Sequence, residues 1–537
     1  MATRELSCDV AVIGGGLGGC AAALALARSG LRVVMSEETS WIGGQLTSQM
    51  VPLDEHRRIE YTGANATYRE LRAGIRSYYR QHYPLTPRAL EYDLLNPGAA
   101  WVSPISAEPK VCLAVLQAML APYQATGDLS VLTDCHPCDV ITDADSVRAV
   151  TLRTADGDEL LVTARFFLDA TELGQLLALG GVEQVSGRES QHDTGEPSAA
   201  ESADPTDMQS ATWCFAIDYR PGEDHTIERP ADYDRMRDWR PPSWQGTPVL
   251  GFFGPGEVNW PRRHYRFTPN LGDDPYRIDT DHRHIPDDPE LWNYRRVLAR
   301  ELFLPGAFDS DVVVVNWPMN DYTGGALFGV PDAEYHRQQT KELARCLLYW
   351  LQTDAPRPDG AQGWPGLRLR ADQSGTSDGF AMAPYIRESR RIKARYTIVE
   401  QDVSADCRER AATYHDSVGV GHYYWMDIHA TTGGRPGRSA HPLPFQIPLR
   451  ALLPIRVRNL LPAAKNIGTT QITNGCYRLH PVEWSIGEAA GQLAAFCLAA
   501  DTEPHAVSDS PELTADFQRR LRKTGVQLHW PDDCLTW

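Results

Sequence analysis

The 537-residue sequence lacks an excess of positive charge, a long apolar run and a regular cysteine spacing. Its formal net charge of −18 argues against nucleic-acid and anionic-membrane partners, because both are bound through clustered lysine and arginine. No apolar stretch approaches the roughly 18 residues that a membrane-spanning helix needs. The 11 cysteines are scattered, unlike those of a secreted disulfide framework. We therefore expect a cytoplasmic protein with reduced thiols.

Lysine is scarce as well, because only five of the 52 basic residues are lysines. This bias towards arginine favours a bacterial origin with a GC-rich genome. The remaining composition, 42% hydrophobic and 23% charged, excludes the disordered and fibrous classes. A chain of this length exceeds what one simple core holds, so two joined domains are predicted.

A complete βαβ pattern begins within the first ten residues. Residues 8–13 form a short β-rich run, and residues 14–19 follow it with the spacing G-x-G-x-x-G. Residues 21–28 then predict a helix, and residues 31–36 predict a second buried strand. Strand, turn, helix and strand in this order are typical of a dinucleotide-binding unit.

Each special residue of this unit has a physical reason. Gly14 permits the tight turn, Gly16 lets the backbone approach a diphosphate, and Gly19 lets the helix pack closely on the strand. The amino terminus of the helix then faces the negative charge. Glu37, which ends the second strand, is placed to accept hydrogen bonds from an adenosine ribose. We therefore expect these four residues to bind a dinucleotide.

A second glycine pair favours FAD over NAD as that dinucleotide. Gly43 and Gly44, followed by Gln45, come shortly after the acidic strand end. Glycines in succession allow the backbone to run close to a bulky group. Flavoproteins of the glutathione-reductase and fumarate-reductase type carry a similar pair. We expect all three residues to contact the cofactor.

A helix around residues 111–123 is followed by four short strands, which predict a β-meander. The expected meander strands are residues 131–133, 139–142, 147–153 and 160–163. A hydrophobic strand after them ends in Asp-Ala-Thr, where Thr171 is expected beside the cofactor.

The third cofactor segment lies near the carboxyl end of the chain. Residues 458–468 read as a last strand with its exit turn, and residues 481–499 read as a helix with one apolar face. A helix amino terminus supplies the positive potential that a reduced flavin needs near its pyrimidine ring. We expect the helix of residues 481–499 to supply this potential, with Asn466 near the ribityl or phosphate part of the cofactor.

With these motifs the chain resembles the bacterial FAD-dependent oxidoreductases of the glutathione-reductase-like superfamily, whose substrates are uncharacterised. The matching stretches are residues 14–19, 41–48, 169–171, 187–189, 316–322, 387–392, 426–429 and 487–491. The resemblance implies an α/β fold, with a Rossmann-type FAD-binding domain (parallel sheet plus β-meander) and a discontinuous α+β substrate domain. It also implies a redox reaction, and it adds Glu488 as a cofactor contact.

The expected domains are discontinuous in sequence. They are an FAD-binding domain of residues 1–60, 105–185 and 441–505, a substrate domain of residues 61–104 and 186–440, and a C-terminal extension of residues 506–537. The polar residues 190–209 predict a mobile loop. Most tryptophans fall in the substrate domain, and aromatic walls suit a sugar ring, an aromatic metabolite or an amine.

A flavin dehydrogenase needs a base that takes the proton from an alcohol or amine. His429 is the first candidate, because Asp427 shares its face of an extended stretch and can orient the imidazole. A structural, hydrogen-bonding histidine is the alternative at this position. His480, just before the C-terminal helix, and Tyr322, after an apolar strand, are further candidates. Arg390 is a candidate for binding a substrate carboxylate.

Two other patterns carry no chemistry in this interpretation. Cys135 and Cys138 form a C-x-x-C pair, but they lie between strands rather than at the strand-to-helix junction that lowers the pKa of a thiol. The aspartates and histidines of residues 279–284 lie in an acidic, proline-rich stretch, which indicates a solvated loop. No metal site is predicted.

The sequence therefore predicts an FAD-dependent dehydrogenase or oxidase. Its expected reaction moves a hydride from a small organic metabolite, such as a sugar, alcohol, amine or intermediate of natural-product biosynthesis, to flavin N5. A flavin monooxygenase is the first alternative, although no second G-x-G-x-x-G for a nicotinamide cofactor is evident. A nucleotide-binding scaffold without redox chemistry is the second. A small-molecule substrate is the expected partner, and a homodimer stays open.

Overall fold

Short apolar runs from both ends of the chain pair into one parallel sheet in the computed structural model, which describes residues 4–255, 263–278 and 288–536. The strand order across this sheet is Leu460–Pro462, Phe166–Asp169, Val10–Ile13, Val33–Ser36 and Leu129–Leu132. All neighbouring strands run parallel. Their continuous apolar character suits a sheet that is covered on both faces. The fold is thus mixed α/β with a Rossmann-type FAD-binding architecture.

A second sheet, which has four strands, accompanies the five-stranded parallel sheet. Its order is Arg4–Ser7, Glu159–Thr163, Ser146–Thr154 and Cys135–Asp143. The last three strands form an antiparallel meander, and the first strand pairs parallel to its neighbour.

The prediction of the first meander strand was wrong. Leu129–Leu132 pairs parallel to Val33–Ser36 at the edge of the five-stranded sheet. The helix Pro109–Thr126 precedes this strand and packs against it. A crossover helix returns the chain in the same direction and therefore favours parallel pairing over a meander.

The other part of the molecule contains an antiparallel sheet in the order Arg296–Leu298, Val312–Val315, Phe215–Tyr219 and Leu367–Leu369. Smaller antiparallel pairs are Ala211–Thr212 with Asp321–Tyr322, Gln184–Val185 with Arg391–Ile392, Ser417–Gly421 with Phe445–Pro448, and Met426–Ile428 with Arg438–Ala440.

Helices connect the strands and pack against the sheets. In chain order, the α-helices of the described residues are Leu17–Arg28, Ala66–His82, Pro87–Glu91, Pro109–Thr126, Gln175–Leu179, Gln191–Thr194, Tyr233–Arg237, Ala333–Thr353, Ala371–Ser374, Glu400–Val403, Gln471–Tyr477, His480–Ala500, Pro504–Asp509 and Pro511–Lys523.

The helices Leu17–Arg28 and His480–Ala500 cross at very short range. A Cβ atom on Gly18 would lie 2.0 Å from the carbonyl oxygen of Ala463, and one on Gly487 would lie 2.0 Å from the carbonyl oxygen of Gly18. Both helices are buried along almost their whole length. Small residues at the contact let the two backbones touch, so the first and last parts of the chain form one unit.

The domain boundaries stay a prediction, but the structure differs from them at two points. Ser417–Gly421 pairs with Phe445–Pro448 across the expected boundary at residue 440. The helix Pro511–Lys523, in the expected extension, packs against His480–Ala500. Trp530 is buried and donates a hydrogen bond to the carbonyl oxygen of Phe445. The expected extension therefore packs onto the core as far as Trp530.

Residues 190–209 are held in place rather than forming a free loop. Glu196 is buried, and its Oε1 accepts hydrogen bonds from the hydroxyl of Thr470 and the backbone N–H of Glu400. Ser190 caps the helix Gln191–Thr194. Polar composition misled the prediction, because buried hydrogen bonds anchor this segment to distant residues.

Gly487→Ala is expected to lower the free energy of unfolding by about 1–3 kcal/mol, the usual cost of inserting a methyl group into a filled contact. The added Cβ would lie 2.0 Å from the carbonyl oxygen of Gly18. Urea unfolding followed by circular dichroism measures the change. Ala499→Ser, at the exposed end of the same helix, is the control and should change stability little. An unchanged Gly487→Ala protein would show that the helices separate easily.

Candidate active site

The glycine-rich turn lies where the strands Val10–Ile13 and Phe166–Asp169 end. Gly14 has a φ of +103°, and a Cβ atom there would lie 2.3 Å from the carbonyl carbon of Ala170. A Cβ atom on Gly19 would lie 2.0 Å from the carbonyl oxygen of Gly14. Both positions exclude a side chain, so the turn keeps the closed shape that brings backbone N–H groups to the end of the sheet.

Two buried carboxylates accept hydrogen bonds from this turn. The N–H of Gly15 donates to Glu37 Oε2 over 3.0 Å, and the N–H of Gly18 donates to Glu483 Oε1 over 3.2 Å. The other oxygen of Glu37 accepts from the N–H and hydroxyl of Thr39. Burial raises the pKa of Glu37 to about 7 and also raises the pKa of Glu483. The backbone N–H groups of Gly15 and Gly18 therefore point outward from the turn and donate to negatively charged oxygens.

A third carboxylate lies directly on the turn. Oε1 of Glu172 is 3.0 Å from the position of a Cβ atom on Gly16 and 2.6 Å from one on Gly44. Its other oxygen forms an ion pair with Lys465, whose side chain is buried. The place that the sequence assigned to a diphosphate therefore holds an anionic group and has a buried cation beside it.

A narrow crevice leads away from the turn along the carboxyl ends of the strands. Glu37, Gln49 and Thr171 are among the residues that line it. The side-chain oxygens of Gln45 and Gln49 are buried without a hydrogen-bond partner in the described residues. Buried acceptors of this kind are normally paired, so the crevice offers unused hydrogen-bonding capacity.

Most other predicted cofactor residues lie around this crevice or the turn. The N–H of Gly43 donates to the carbonyl oxygen of Gly15 over 2.7 Å, which ties the second glycine pair to the turn. The hydroxyl of Thr171 donates to Asp169 Oδ1 over 2.6 Å. Asn466 Nδ2 donates to the carbonyl oxygen of Asp169 over 3.0 Å, so it joins two strand ends.

Glu488 lies elsewhere. Its Oε2 accepts hydrogen bonds from Asn65 and Thr67, at the start of the helix Ala66–His82. The carboxylate that reaches the turn is Glu483, five residues earlier in the same helix. Its position in the first helical turn was the available signal, and Gln45 Nε2 donates to it over 2.6 Å.

A separate cavity of about 160 Å³ is lined entirely by residues of the expected substrate domain, and His429 is one of them. His429 Nδ1 is 2.9 Å from Asp321 Oδ2, and its Nε2 is 3.0 Å from Asp427 Oδ2. Arg387 Nη2 donates to the other oxygen of Asp321 over 2.9 Å. The imidazole is thus held between two carboxylates, one of which an arginine fixes.

The charges around His429 set its protonation. Burial and Arg387 disfavour the imidazolium, but Asp427 and Asp321 outweigh them and raise the pKa of His429 above its ordinary value. His429 in turn holds the pKa of Asp427 below its ordinary value, despite burial. Both aspartates therefore stay ionised and stabilise the protonated ring.

The other three catalytic candidates lie outside this cavity. His480 accepts a hydrogen bond from the N–H of Asp54 over 3.0 Å, and its Nε2 is 3.2 Å from the carbonyl oxygen of Val51. Tyr322 turns to the opposite side of its strand from Asp321 and contacts His336 over 2.9 Å. Arg390 donates to the carbonyl oxygen of Leu173 over 2.8 Å.

The stretch of residues 279–284 lies outside the described residues. Within the parts that are described, no group of three or more histidine, cysteine or acidic residues is arranged to hold a metal ion. Over the same residues, no helix has both the length and the apolar character to cross a membrane. Burial raises the pKa of both Cys135 and Cys138.

The turn, the crevice and the parallel sheet define a dinucleotide-binding fold. The family model described as FAD dependent oxidoreductase matches residues 9–521, and the chain belongs to this family. The protein is therefore an FAD-dependent oxidoreductase, and not a nucleotide-binding scaffold without redox chemistry. No curated protein matches the sequence.

Several solved structures resemble parts of the chain. An L-proline dehydrogenase from P. horikoshii has 14% identity over 35% of this chain and 25% of that chain, with a TM-score of 0.19. A geranylgeranyl bacteriochlorophyll reductase-like protein from Thermoplasma acidophilum has 16% identity over 41% and 49%, with a TM-score of 0.23. The flavin-dependent monooxygenase PieE has 14% identity over 45% and 40%, with a TM-score of 0.25. The chain thus spans less than half of each structure.

The residues at the turn fit an FAD cofactor. Cβ atoms are excluded at Gly14 and Gly44, which leaves the backbone free to approach a diphosphate. Lys465 is a buried cation beside the same turn; it is paired with Glu172 in this structure and offers positive charge to a diphosphate. The unpaired oxygen of Gln49 adds an acceptor in the crevice.

Gly16→Val is expected to abolish the retention of FAD through purification. Its branched side chain would fill the space between the turn and Glu172 Oε1, which is 3.0 Å from the Cβ position. The ratio of flavin to protein absorbance measures retention. Ala118→Val, on the exposed face of the helix Pro109–Thr126, is the control. A yellow Gly16→Val protein with a full flavin content would contradict the assignment.

Glu37→Ala is expected to weaken FAD binding by roughly 1–3 kcal/mol, the typical loss of a hydrogen bond to a charged acceptor. Titration of the apoprotein with FAD, followed by quenching of flavin fluorescence, gives the dissociation constant. Glu38→Ala is the matched control, because Glu38 is the next residue and its side chain is 45% exposed. If only Glu38→Ala weakened binding, Glu38 would hold the ribose instead.

Proposed function

We propose that the protein is a dehydrogenase or oxidase that removes a hydride and a proton from a small organic metabolite in the cavity beside His429. The observation that carries this proposal is the pairing of His429 with Asp321 and Asp427 on the wall of a cavity that is lined by aromatic side chains. A buried titratable group with a shifted pKa in a cavity is typical of proton-transfer sites.

We also propose which residues hold the cofactor. Gly14, Gly16 and Gly44 leave room for the diphosphate, Lys465 offers a counter-charge, and Glu37 accepts the ribose hydroxyls. Bound FAD supplies the acceptor for a hydride. The strands that end at the turn fix these residues, so the site is built on rigid elements.

His429 is the group that takes the substrate proton in this proposal. Its side chain is 26% exposed and that of Asp427 is 27% exposed, so both are open to a small ligand. Because the two aspartates raise the pKa of His429, its neutral imidazole binds a proton more strongly than an isolated histidine does. Asp321, held by Arg387, orients the ring and stabilises the imidazolium that proton uptake produces.

We assign the chain to the glutathione-reductase-like superfamily, and we infer a bacterial biosynthetic role from the composition and the resemblance. The glycine pair at Gly43 and Gly44, tied to the turn by a hydrogen bond to Gly15, supports the superfamily. Anaerobic bleaching of the flavin by an organic substrate alone indicates a dehydrogenase or oxidase. A requirement for a nicotinamide cofactor before bleaching would indicate a monooxygenase.

His429→Ala is expected to leave FAD bound and to slow substrate-driven flavin reduction by about a hundredfold or more, the usual contribution of a general base. Stopped-flow absorbance on folded, flavin-loaded protein measures this rate. His192→Ala is the control, because the His192 side chain is 96% exposed. If His429 is only structural, its removal lowers thermal stability while the reduction rate stays normal.

The pH dependence of the same rate separates the two roles. A base works only when deprotonated, so the rate of the unaltered enzyme should rise as the pH increases through the pKa of His429. That pKa lies above the ordinary value of 6.5, so the midpoint of the rise should also lie above 6.5. A rate that stays flat between about pH 6 and about pH 9 would contradict the proposal, because a histidine with a raised pKa titrates in that range.

A further inference from the structure

The cavity beside His429 contains an unusual surplus of hydrogen-bond donors. Five of its lining side chains have a buried polar atom without a hydrogen-bond partner in the described residues. These atoms are Arg295 Nε, Asn316 Nδ2, Trp317 Nε1, Thr323 Oγ1 and Arg387 Nε. Every one of these atoms can donate, and each side chain belongs to a residue that is at least nine-tenths buried.

Both carboxylates that line the cavity already have a positively charged or hydrogen-bonding partner. Asp321 accepts from Arg387 and Thr212 and contacts His429. Asp427 contacts His429, and Arg478 approaches it to 3.9 Å. Among the described lining residues, no carboxylate or carbonyl oxygen of a side chain is left buried without a partner. A cationic ligand would therefore compete with His429 or Arg387 for these carboxylates, whereas an anionic ligand finds several unpaired donors.

The charges of the lining residues also favour an anionic ligand. Three arginines and two aspartates line the cavity, and the raised pKa of His429 adds a further positive charge. Opposite charges attract more strongly in a largely buried site than in bulk water, because the local dielectric constant is lower. The cavity therefore favours a negatively charged ligand over a neutral or positively charged one of the same shape.

The walls and the size of the cavity indicate a ring. Trp101 and Tyr294 face each other with ring centroids 4.7 Å apart, and Trp244, Tyr265 and Trp425 also line the space. Its volume of about 160 Å³ is close to the roughly 150 Å³ of an engineered apolar cavity that binds benzene. A ligand with one six-membered ring is therefore of suitable size.

We propose that this cavity selects a small ring-bearing carboxylate as the substrate, with the carboxylate received by the donors of Asn316, Trp317 and Thr323. Asn316 and Trp317 directly follow the strand Val312–Val315, and Thr323 directly follows the short strand Asp321–Tyr322. This inference rests on the proposed function, because it names the substrate class of the same site.

Isothermal titration calorimetry of the FAD-loaded enzyme with three matched probes tests the inference. The probes are phenylacetate, 2-phenylethanol and 2-phenylethylammonium, which share a ring and differ in the charge of the end group. Phenylacetate should bind at least tenfold more tightly than the other two. Equal affinities, tighter binding of the alcohol or the ammonium, or no binding of phenylacetate would overturn the proposal.

Two substitutions locate the carboxylate. Asn316→Asp replaces a donor with an anion of the same shape, and Thr323→Val removes the hydroxyl at nearly constant volume. Each should weaken phenylacetate binding at least tenfold and change 2-phenylethanol binding less than twofold. Gln117→Glu, on the exposed face of the helix Pro109–Thr126, adds the same charge far from the cavity and is the control. Equal loss of both probes would indicate damage to the fold, and an unchanged affinity would place the carboxylate elsewhere; either result counts against the proposal.

The outcome is separable from that of the proposed function. If phenylacetate fails to bind while a neutral alcohol bleaches the flavin and His429→Ala slows the bleaching, the proposed reaction stands and the substrate class is wrong. If phenylacetate binds as expected and His429→Ala reduces flavin at a normal rate, the substrate class stands and the proposed base is wrong.

Discussion

The whole architecture depends on the contact between the backbones of two helices, Leu17–Arg28 and His480–Ala500. Only glycine fits where they meet, because a Cβ atom on Gly18 or Gly487 would overlap a carbonyl oxygen of the neighbouring segment. This contact places Glu483 at the glycine-rich turn, where it accepts the N–H of Gly18. The geometry of the cofactor site therefore follows from how closely two buried helices approach each other.

Around this contact the protein keeps its buried charges in matched groups. Glu172 is paired with Lys465 beside the turn, and Asp321 is paired with Arg387 beside the cavity. An isolated buried charge is costly, whereas a paired and hydrogen-bonded one is tolerated. His429 belongs to the second group, and its raised pKa comes from neighbours that the fold needs in any case. The proposed chemistry thus uses residues that also belong to a buried charge network.

Local patterns were sufficient for the cofactor frame. Gly14, Gly19 and Gly43 are recognisable because a turn or a close approach demands a residue without a side chain, and that demand is visible within a few positions. The strand Leu129–Leu132 was assigned to the wrong sheet, because the sequence of a short apolar strand does not show which strand it pairs with. The helix Pro109–Thr126, which precedes this strand, decides that it pairs parallel to Val33–Ser36.

The arrangement of the candidate site depends on contacts that sequence spacing does not reveal. The hydrogen bond from Gly18 to Glu483 joins residues 465 positions apart, and the contact of His429 with Asp321 joins residues 108 positions apart. Glu488 was the predicted cofactor contact and Glu483 was not considered, although both acids lie in one helix. Which of them faces the turn is set by the rotation of that helix, a property of its packing alone.

The strand order also fixes when the cofactor site is completed during synthesis. Leu460–Pro462 pairs with Phe166–Asp169, so the ribosome must add roughly 290 residues between the two partners, which takes on the order of 15–60 s at typical rates. Until then the nascent sheet has an open edge, and Lys465 and Glu483 do not yet exist beside the turn. Flavin capture is therefore a late event in biogenesis, and an overproduced chain is most exposed to aggregation before it.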